Sequence, residues 1–216
     1  NILKFSKKFK IQHLLYASSS SVYGANTKYP FSEEDSVDHP ISVYAATKKS
    51  NELTAHAYAS LYQLPCTGLR FFSVYGPYGR PDMATWKFTQ RMLAGETIEV
   101  YGEGKHRRDF TYVGDIADGI IRVHGHPPTP MDAQPPCQLY NLGHSEPIPL
   151  MDFIQELEKA LDVKARIKML PKQPGDVHET YADVSALDAK FNWSPKTTLS
   201  KGLENWAQWY RTHHSN

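Results

Sequence analysis

IQHLLYASSSSVYG (11–24) opens on a short apolar run, 11–17, that ends in small hydroxyl residues. That is the pattern of a parallel strand arriving at its C-terminal edge, where open α/β sheets bind their ligands. Twenty residues further on, YAATK (44–48) lies in a stretch, 43–61, that reads as helix. Tyr44 and Lys48 are four residues apart, about one helical turn, so phenol and ammonium project from one face. A cation beside a tyrosine favours phenolate over phenol and draws the group toward the range where it can act as a base. Taken alone, a Tyr and a Lys at this spacing are common on solvated helix surfaces. The serine run directly upstream turns the reading toward chemistry.

Outward from this centre, strand and helix patterns alternate. CTGLRFF (66–72) and 97–102 read as strands, while 86–93, 115–123, 150–161 and 199–211 read as helices. The polar, Pro-bearing stretch 30–42 reads as a loop, and 124–136 is the most linker-like part of the chain. Lys4, Lys7, Lys8 and Lys10 read as the solvated face of an opening helix, and WAQWY (206–210) as core or dimer contact.

Composition narrows the class further. The 216 residues carry a net charge of +1, which gives no electrostatic case for nucleic acid or a membrane surface as partner. No apolar run approaches the ~20 residues that span a bilayer. Cys66 and Cys137 have neither metal-ligand nor disulfide-framework spacing, and they read as buried reduced thiols of a cytoplasmic protein. The ten histidines show no metal-binding spacing either.

Six segments in order resemble the nucleotide-sugar epimerases of the extended short-chain dehydrogenase/reductase family: YASSSSVYG (16–24), YAATK (44–48), LRFFSVYGPYGRPDMA (69–84), RRDFTYVGDIADG (107–119), YNLG (140–143) and QPGDVHETYAD (173–183). The resemblance is strongest to members that act on UDP-glucuronate. It implies an α/β fold, the C-terminal part of a Rossmann-like doubly wound parallel sheet with a smaller α/β substrate-binding domain. Residues 1–76, with later segments returning to them, would belong to the NAD-binding domain and 77–216 mainly to the substrate domain. The implied activity is NAD-dependent 4-epimerisation of a UDP-hexuronate, UDP-glucuronate to UDP-galacturonate, through a 4-keto intermediate. The implied assembly is a homodimer through paired helices that include Tyr44.

Residue by residue, the resemblance makes Tyr44 the proton acceptor, Lys48 its charged partner and a ligand of the nicotinamide ribose, and Ser19 the hydroxyl that bonds the sugar 4-oxygen. Phe71 joins the cofactor site. Ser20 and Ser21 stand where related dehydratases carry an acid pair, and Ser21 where decarboxylating relatives carry glutamate. With Ser73 they are candidates to hold the glucuronate carboxylate through neutral donors. Arg108 would bind the UDP diphosphate, Gln173 and Asp176 would lie beside the nucleotide, and Arg80 near the sugar pocket; a surface arginine capping the following helix is an equal reading for Arg80. Lys105 and Arg107 read as a solvated basic loop.

The family's glycine-rich turn has no counterpart in this sequence, where GEG (102–104) sits in the wrong context. The expectation is therefore a portion of an epimerase whose apolar strand 11–17 lacks a neighbour on one side, and which by itself neither holds NAD nor turns over. The alternatives are a non-catalytic nucleotide-sugar-binding fragment and an epimerase of the UDP-glucose/galactose type.

Overall fold

The computed structural model describes residues 1–131, 134–172 and 177–214. In chain order they form α1 (Ile2–Lys8), β1 (Leu14–Ser19), a short 3-10 turn (Ser20–Tyr23), α2 (Val43–Tyr62), β2 (Cys66–Phe71), β3 (Ser73–Tyr75), α3 (Ala84–Leu93), β4 (Thr97–Tyr101), β5 (Arg107–Tyr112) and α4 (Val113–His124). After these come β6 (Cys137–Leu142), β7 (Pro147–Pro149), α5 (Leu150–Leu161), β8 (Arg166–Leu170), β9 (Glu179–Thr180), α6 (Ser185–Phe191) and α7 (Leu199–His214). They divide into two units. One comprises Asn1–Phe72, Ala117–Leu142 and Ala182–Ser194; the other comprises Ser73–Ile116, Gly143–Tyr181 and Pro195–Asn216.

The first unit is built on a parallel sheet of order β1-β2-β6. β2 is buried along nearly its whole length, as a central parallel strand covered on both faces must be. The strand expected at 11–17 begins at Leu14 and continues into the serines, because Ser18 and Ser19 pair in register with Arg70 and Phe71. α2 starts where Ser42 accepts a hydrogen bond from the Ala45 amide at 3.1 Å, and stops at Gln63, which is left-handed at φ 50° just before Pro65. The buried positions of α2 are Ala45, Ala55 and Ala59, together with Glu52. Small side chains let the helix lie close to the sheet, and the one carboxylate among them needs a partner. Among the described residues β1 is an edge strand, beside an apolar cleft of about 690 Å³ lined by Leu3, Leu14, Tyr16 and Ala55.

The second unit holds β3-β5-β7, with β9 also paired to β5, and a separate parallel pair β4-β8. Its core is apolar and aromatic, drawing on Phe110, Phe153, Leu157, Leu203 and Trp206. The Phe110 and Phe153 rings stack at 4.2 Å, and the Trp206 indole N–H donates to Thr89 Oγ1 at 2.8 Å. Gly202 lies so close to the Tyr75 hydroxyl that any side chain there would collide with it, which fixes how α7 packs on β3. No helix among the described residues is long and apolar enough to cross a membrane.

Candidate active site

In the first unit the reacting candidates collect around the C-terminal end of β1 and the first turns of α2. Ser19 is buried and caps the 3-10 turn: its Oγ accepts from the Ser21 amide and donates to Ser21 Oγ, both at 3.2 Å. Gly24 ends that turn at a positive φ, 59°, which side chains rarely adopt. Ser20 and Ser21 are half-buried within it. Tyr44 stands 51% exposed on α2, and the Lys48 ammonium lies 5.7 Å from the centre of its ring. The same ammonium donates to the Ala17 carbonyl at 3.0 Å, tying α2 to β1 two residues before Ser19. Phe71 is the strand partner of Ser19 and is half-buried. This edge therefore presents a hydroxyl, a phenol, an ammonium and an aromatic side chain.

Beneath them is a buried polar network that reading the sequence did not find. The Arg70 guanidinium donates through Nε and Nη2 to the two Glu52 oxygens, each at 2.9 Å, and through Nη1 to the Tyr23 hydroxyl at 3.0 Å. Ser18 Oγ donates to Glu52 Oε1 at 2.6 Å, and Tyr23 donates to Asn141 Oδ1 at 2.7 Å. Burial pushes the Tyr23 phenol up to about 12, against the pull of Arg70. Burial works to lower the Arg70 guanidinium, but the Glu52 carboxylate outweighs it and holds the group above its ordinary range. Glu33 accepts from the Asn141 backbone N–H at 2.7 Å, and its own desolvation raises its carboxyl. The one available signal was an arginine inside the apolar strand LRFF (69–72).

The second unit carries Ser73, Arg80 and Arg108. Ser73 and Arg108 line a pocket of about 210 Å³ with Thr85, His106 and Phe110. Arg108 Nη1 also donates to the carbonyls of Arg107 and His178, at 3.0 and 3.2 Å. A larger cleft of about 630 Å³ shares Ala84, His106 and Leu150 with it and adds Lys87, Arg91, Glu99 and Tyr101. Lys87 and Arg91, one turn apart on α3, were not singled out from sequence. Arg80 is exposed and paired with Asp82, and it lines neither pocket. Arg107 corrects the expectation of a solvated loop. It lies on β5, donates to the Pro147 carbonyl at 3.1 Å and faces Glu179 at 3.5 Å, because strand pairing with β7 and β9 draws it in. Lys105 is exposed and paired with Glu103. Gln173 and Asp176 lie outside the described residues. Both cysteines are free thiols, held high by burial at about 12 for Cys66 and about 11 for Cys137.

The NAD dependent epimerase/dehydratase family matches residues 1–143. An uncharacterized 37.6 kDa protein of Escherichia coli O111:H- is 56% identical over 98% of this chain and 66% of its own length. A probable UDP-glucuronate 4-epimerase of Rhizobium meliloti is 42% identical over 97% of the chain and 65% of its own length. Among solved structures, the UDP-glucuronic acid 4-epimerase from Bacillus cereus in complex with UDP-glucuronic acid and NAD aligns with a TM-score of 0.88 and 32% identity, over 98% of this chain and 65% of that one. The chain thus spans just under two thirds of the length of these relatives.

Proposed function

Because the chain belongs to the NAD dependent epimerase/dehydratase family, we propose that it carries the reacting and substrate-holding residues of a UDP-hexuronate 4-epimerase, interconverting UDP-glucuronate and UDP-galacturonate. The observation that carries this reading is the grouping of Ser19, Tyr44 and Lys48 at the end of β1 and the start of α2, tied by the Lys48 bond to Ala17. Hydroxyls, not acids, follow Ser19.

Ser19 donates to the sugar 4-oxygen and Tyr44 takes the 4-hydroxyl proton at its phenol oxygen, returning it once the ring has presented its other face. Lys48 keeps positive charge beside that phenol. NAD, when bound, supplies the hydride acceptor and donor. The donor set at this edge suits its nicotinamide end, which Tyr44, Lys48 and Phe71 would hold. Oxidation at carbon 4 turns glucuronate into a β-keto acid prone to lose carbon dioxide. Ser20, Ser21 and Ser73 answer that hazard as neutral donors to the carboxylate, and none supplies the proton transfer that elimination requires.

The second unit is the seat of the UDP moiety. Arg108 offers the diphosphate a planar guanidinium fork, and the cleft of Lys87, Arg91, Glu99 and Tyr101 receives the nucleoside. Arg80 would serve substrate from its exposed position, and Gln173 and Asp176 complete the nucleotide loop. Residues 1–76, with the returning segments, make up the cofactor domain in this reading and 77–216 mainly the substrate domain. Leu53, Ala57 and Leu61, spaced four apart, leave an exposed apolar stripe on α2, which supports a homodimer through this helix. The two free thiols support a reducing, cytoplasmic setting.

The test is product analysis by mass spectrometry and NMR. The chain, completed to its relatives' length with the segment of the Escherichia coli relative that it does not match, is incubated with NAD and UDP-glucuronate. UDP-galacturonate without net reduced cofactor or carbon dioxide is the expected result. Preferential conversion of UDP-glucose to UDP-galactose would replace the substrate, and no conversion of either would overturn the reading.

A further inference from the structure

Ser18, Arg70 and Asn141 occupy one register row across β1, β2 and β6, immediately below the row of Ser19, Phe71 and Leu142 that ends the sheet. Three adjacent parallel strands thus place polar side chains in the buried layer under the reacting edge. Ser18, Arg70 and Asn141 are 3%, 1% and 0% exposed. Such a row in a strand interior is costly, and here every member is hydrogen-bonded to elements outside the sheet. Ser18 and Arg70 converge on Glu52 of α2, Arg70 also holds Tyr23 of the 3-10 turn, and Asn141 Oδ1 accepts a hydrogen bond from the Tyr23 hydroxyl. Asn141 Nδ2 further donates to the carbonyls of Phe31 and Asp183, at 2.8 and 3.1 Å.

The positions of these anchors are what matter. Glu52 lies four residues after Lys48 and eight after Tyr44, one and two turns along the same helix. Ser18 immediately precedes Ser19, and Tyr23 ends the turn that carries Ser20 and Ser21. We propose that the Arg70–Glu52 fork is a positioning device, fixing the Ser19 to Tyr23 segment against α2 so that the Ser19 hydroxyl and the Tyr44 phenol meet one sugar oxygen. The proposal rests on the assignment of Ser19, Tyr44 and Lys48 made above.

Stability alone does not account for the fork. Well-packed apolar residues in place of a buried ion pair are often as stable or more so, whereas removal of one partner strands the other charge. A bidentate guanidinium–carboxylate pair, in contrast, fixes distance and plane together, which an apolar contact does not. Reacting groups displaced by about 1 Å lose on the order of 100-fold in rate.

The experiment compares the completed chain with its Glu52→Leu/Arg70→Met double variant, in which neither charge is left buried alone, and with Arg70→Lys, which keeps the charge but not the fork. Thermal unfolding, kcat, KM for UDP-glucuronate and amide exchange over 18–24 and 43–48 are measured. The double variant is expected to melt close to the parent while kcat falls about 100-fold, KM stays within three-fold, and exchange in the two segments speeds at least ten-fold. Arg70→Lys falls between the two. A double variant that melts like the parent and keeps kcat within three-fold overturns the positioning role. If the parent converts no UDP-sugar, the functional assignment falls separately. The exchange data then decide the mechanical claim, with parent-like exchange in both segments overturning it.

Discussion

Both units have apolar clusters, but they bury their charged groups in different company. In the first, the layer under the strand ends is a chain of charged and neutral hydrogen bonds from Ser18 through Glu52, Arg70 and Tyr23 to Asn141. In the second, the main cluster is aromatic and aliphatic side chains around Phe110, Phe153 and Trp206, its buried carboxylate Asp109 is held by Thr111 and two backbone amides, and Lys87, Arg91 and Arg108 stand on pocket walls. Directional bonds hold a few atoms at fixed distances, whereas apolar packing holds a shape. On the proposed function the difference is a division of labour: the unit assigned the proton transfer spends burial on polar ties that register groups, and the unit assigned the nucleotide offers a cleft in which Lys87 and Arg91 stand beside Asp82 and Glu99.

The sharpest way to break this contrast is in the first unit. Tyr44→Phe in the completed chain removes only the proton acceptor, so kcat is expected to fall by about 10²–10⁴-fold. A variant that keeps most of its turnover would take the chemistry away from α2. Next comes Glu52→Ala, which strands the Arg70 charge in the interior, and denaturant unfolding should show a loss of about 3–5 kcal/mol. A cost below about 1 kcal/mol would mean that water reaches the network and that the two interiors differ less than described.

The smallest effect sharpens the comparison through pH. The Glu33 carboxyl is raised by desolvation, so its neutral form is favoured in the folded chain. Its contribution to stability is therefore full below the ordinary carboxylate range and is lost as pH rises through the raised value. Glu33→Gln keeps an acceptor for the Asn141 amide without the charge, so it should melt slightly above the parent at pH 7. The two should converge as the pH falls through the carboxylate range, and a gap that widens on acidification would reverse the assignment.

Much of this contrast was legible in the sequence, for reasons that differ between the units. The serine run and YAATK announce themselves because strand-end hydroxyls and a one-turn Tyr–Lys spacing are local patterns, and Lys48 needs only α2 and β1 to reach Ala17. The fork was not legible. Arg70 stands out in an apolar strand, but its partner sits on a helix whose other buried positions are alanines, and only the packed fold brings them together. In the second unit Ser73 and Arg108 were found through their motifs, whereas Lys87 and Arg91 sit in no motif and line the cleft because α3 packs beside β4. β8 was missed because its register with β4 joins residues about seventy positions apart, and α6 because a helix of seven residues leaves little periodicity to read.

The division of labour is tested most directly by calorimetric titration of UDP into the completed chain and its Arg108→Ala and Tyr44→Phe variants under one set of conditions. Loss of Arg108 should weaken UDP binding by about 1.5–3 kcal/mol, roughly 10- to 150-fold, as expected for charge-assisted hydrogen bonds to a diphosphate. Loss of the Tyr44 hydroxyl should leave affinity within a few-fold. Equal losses in both variants, or unchanged affinity in Arg108→Ala, would contradict the separation of chemistry from nucleotide binding.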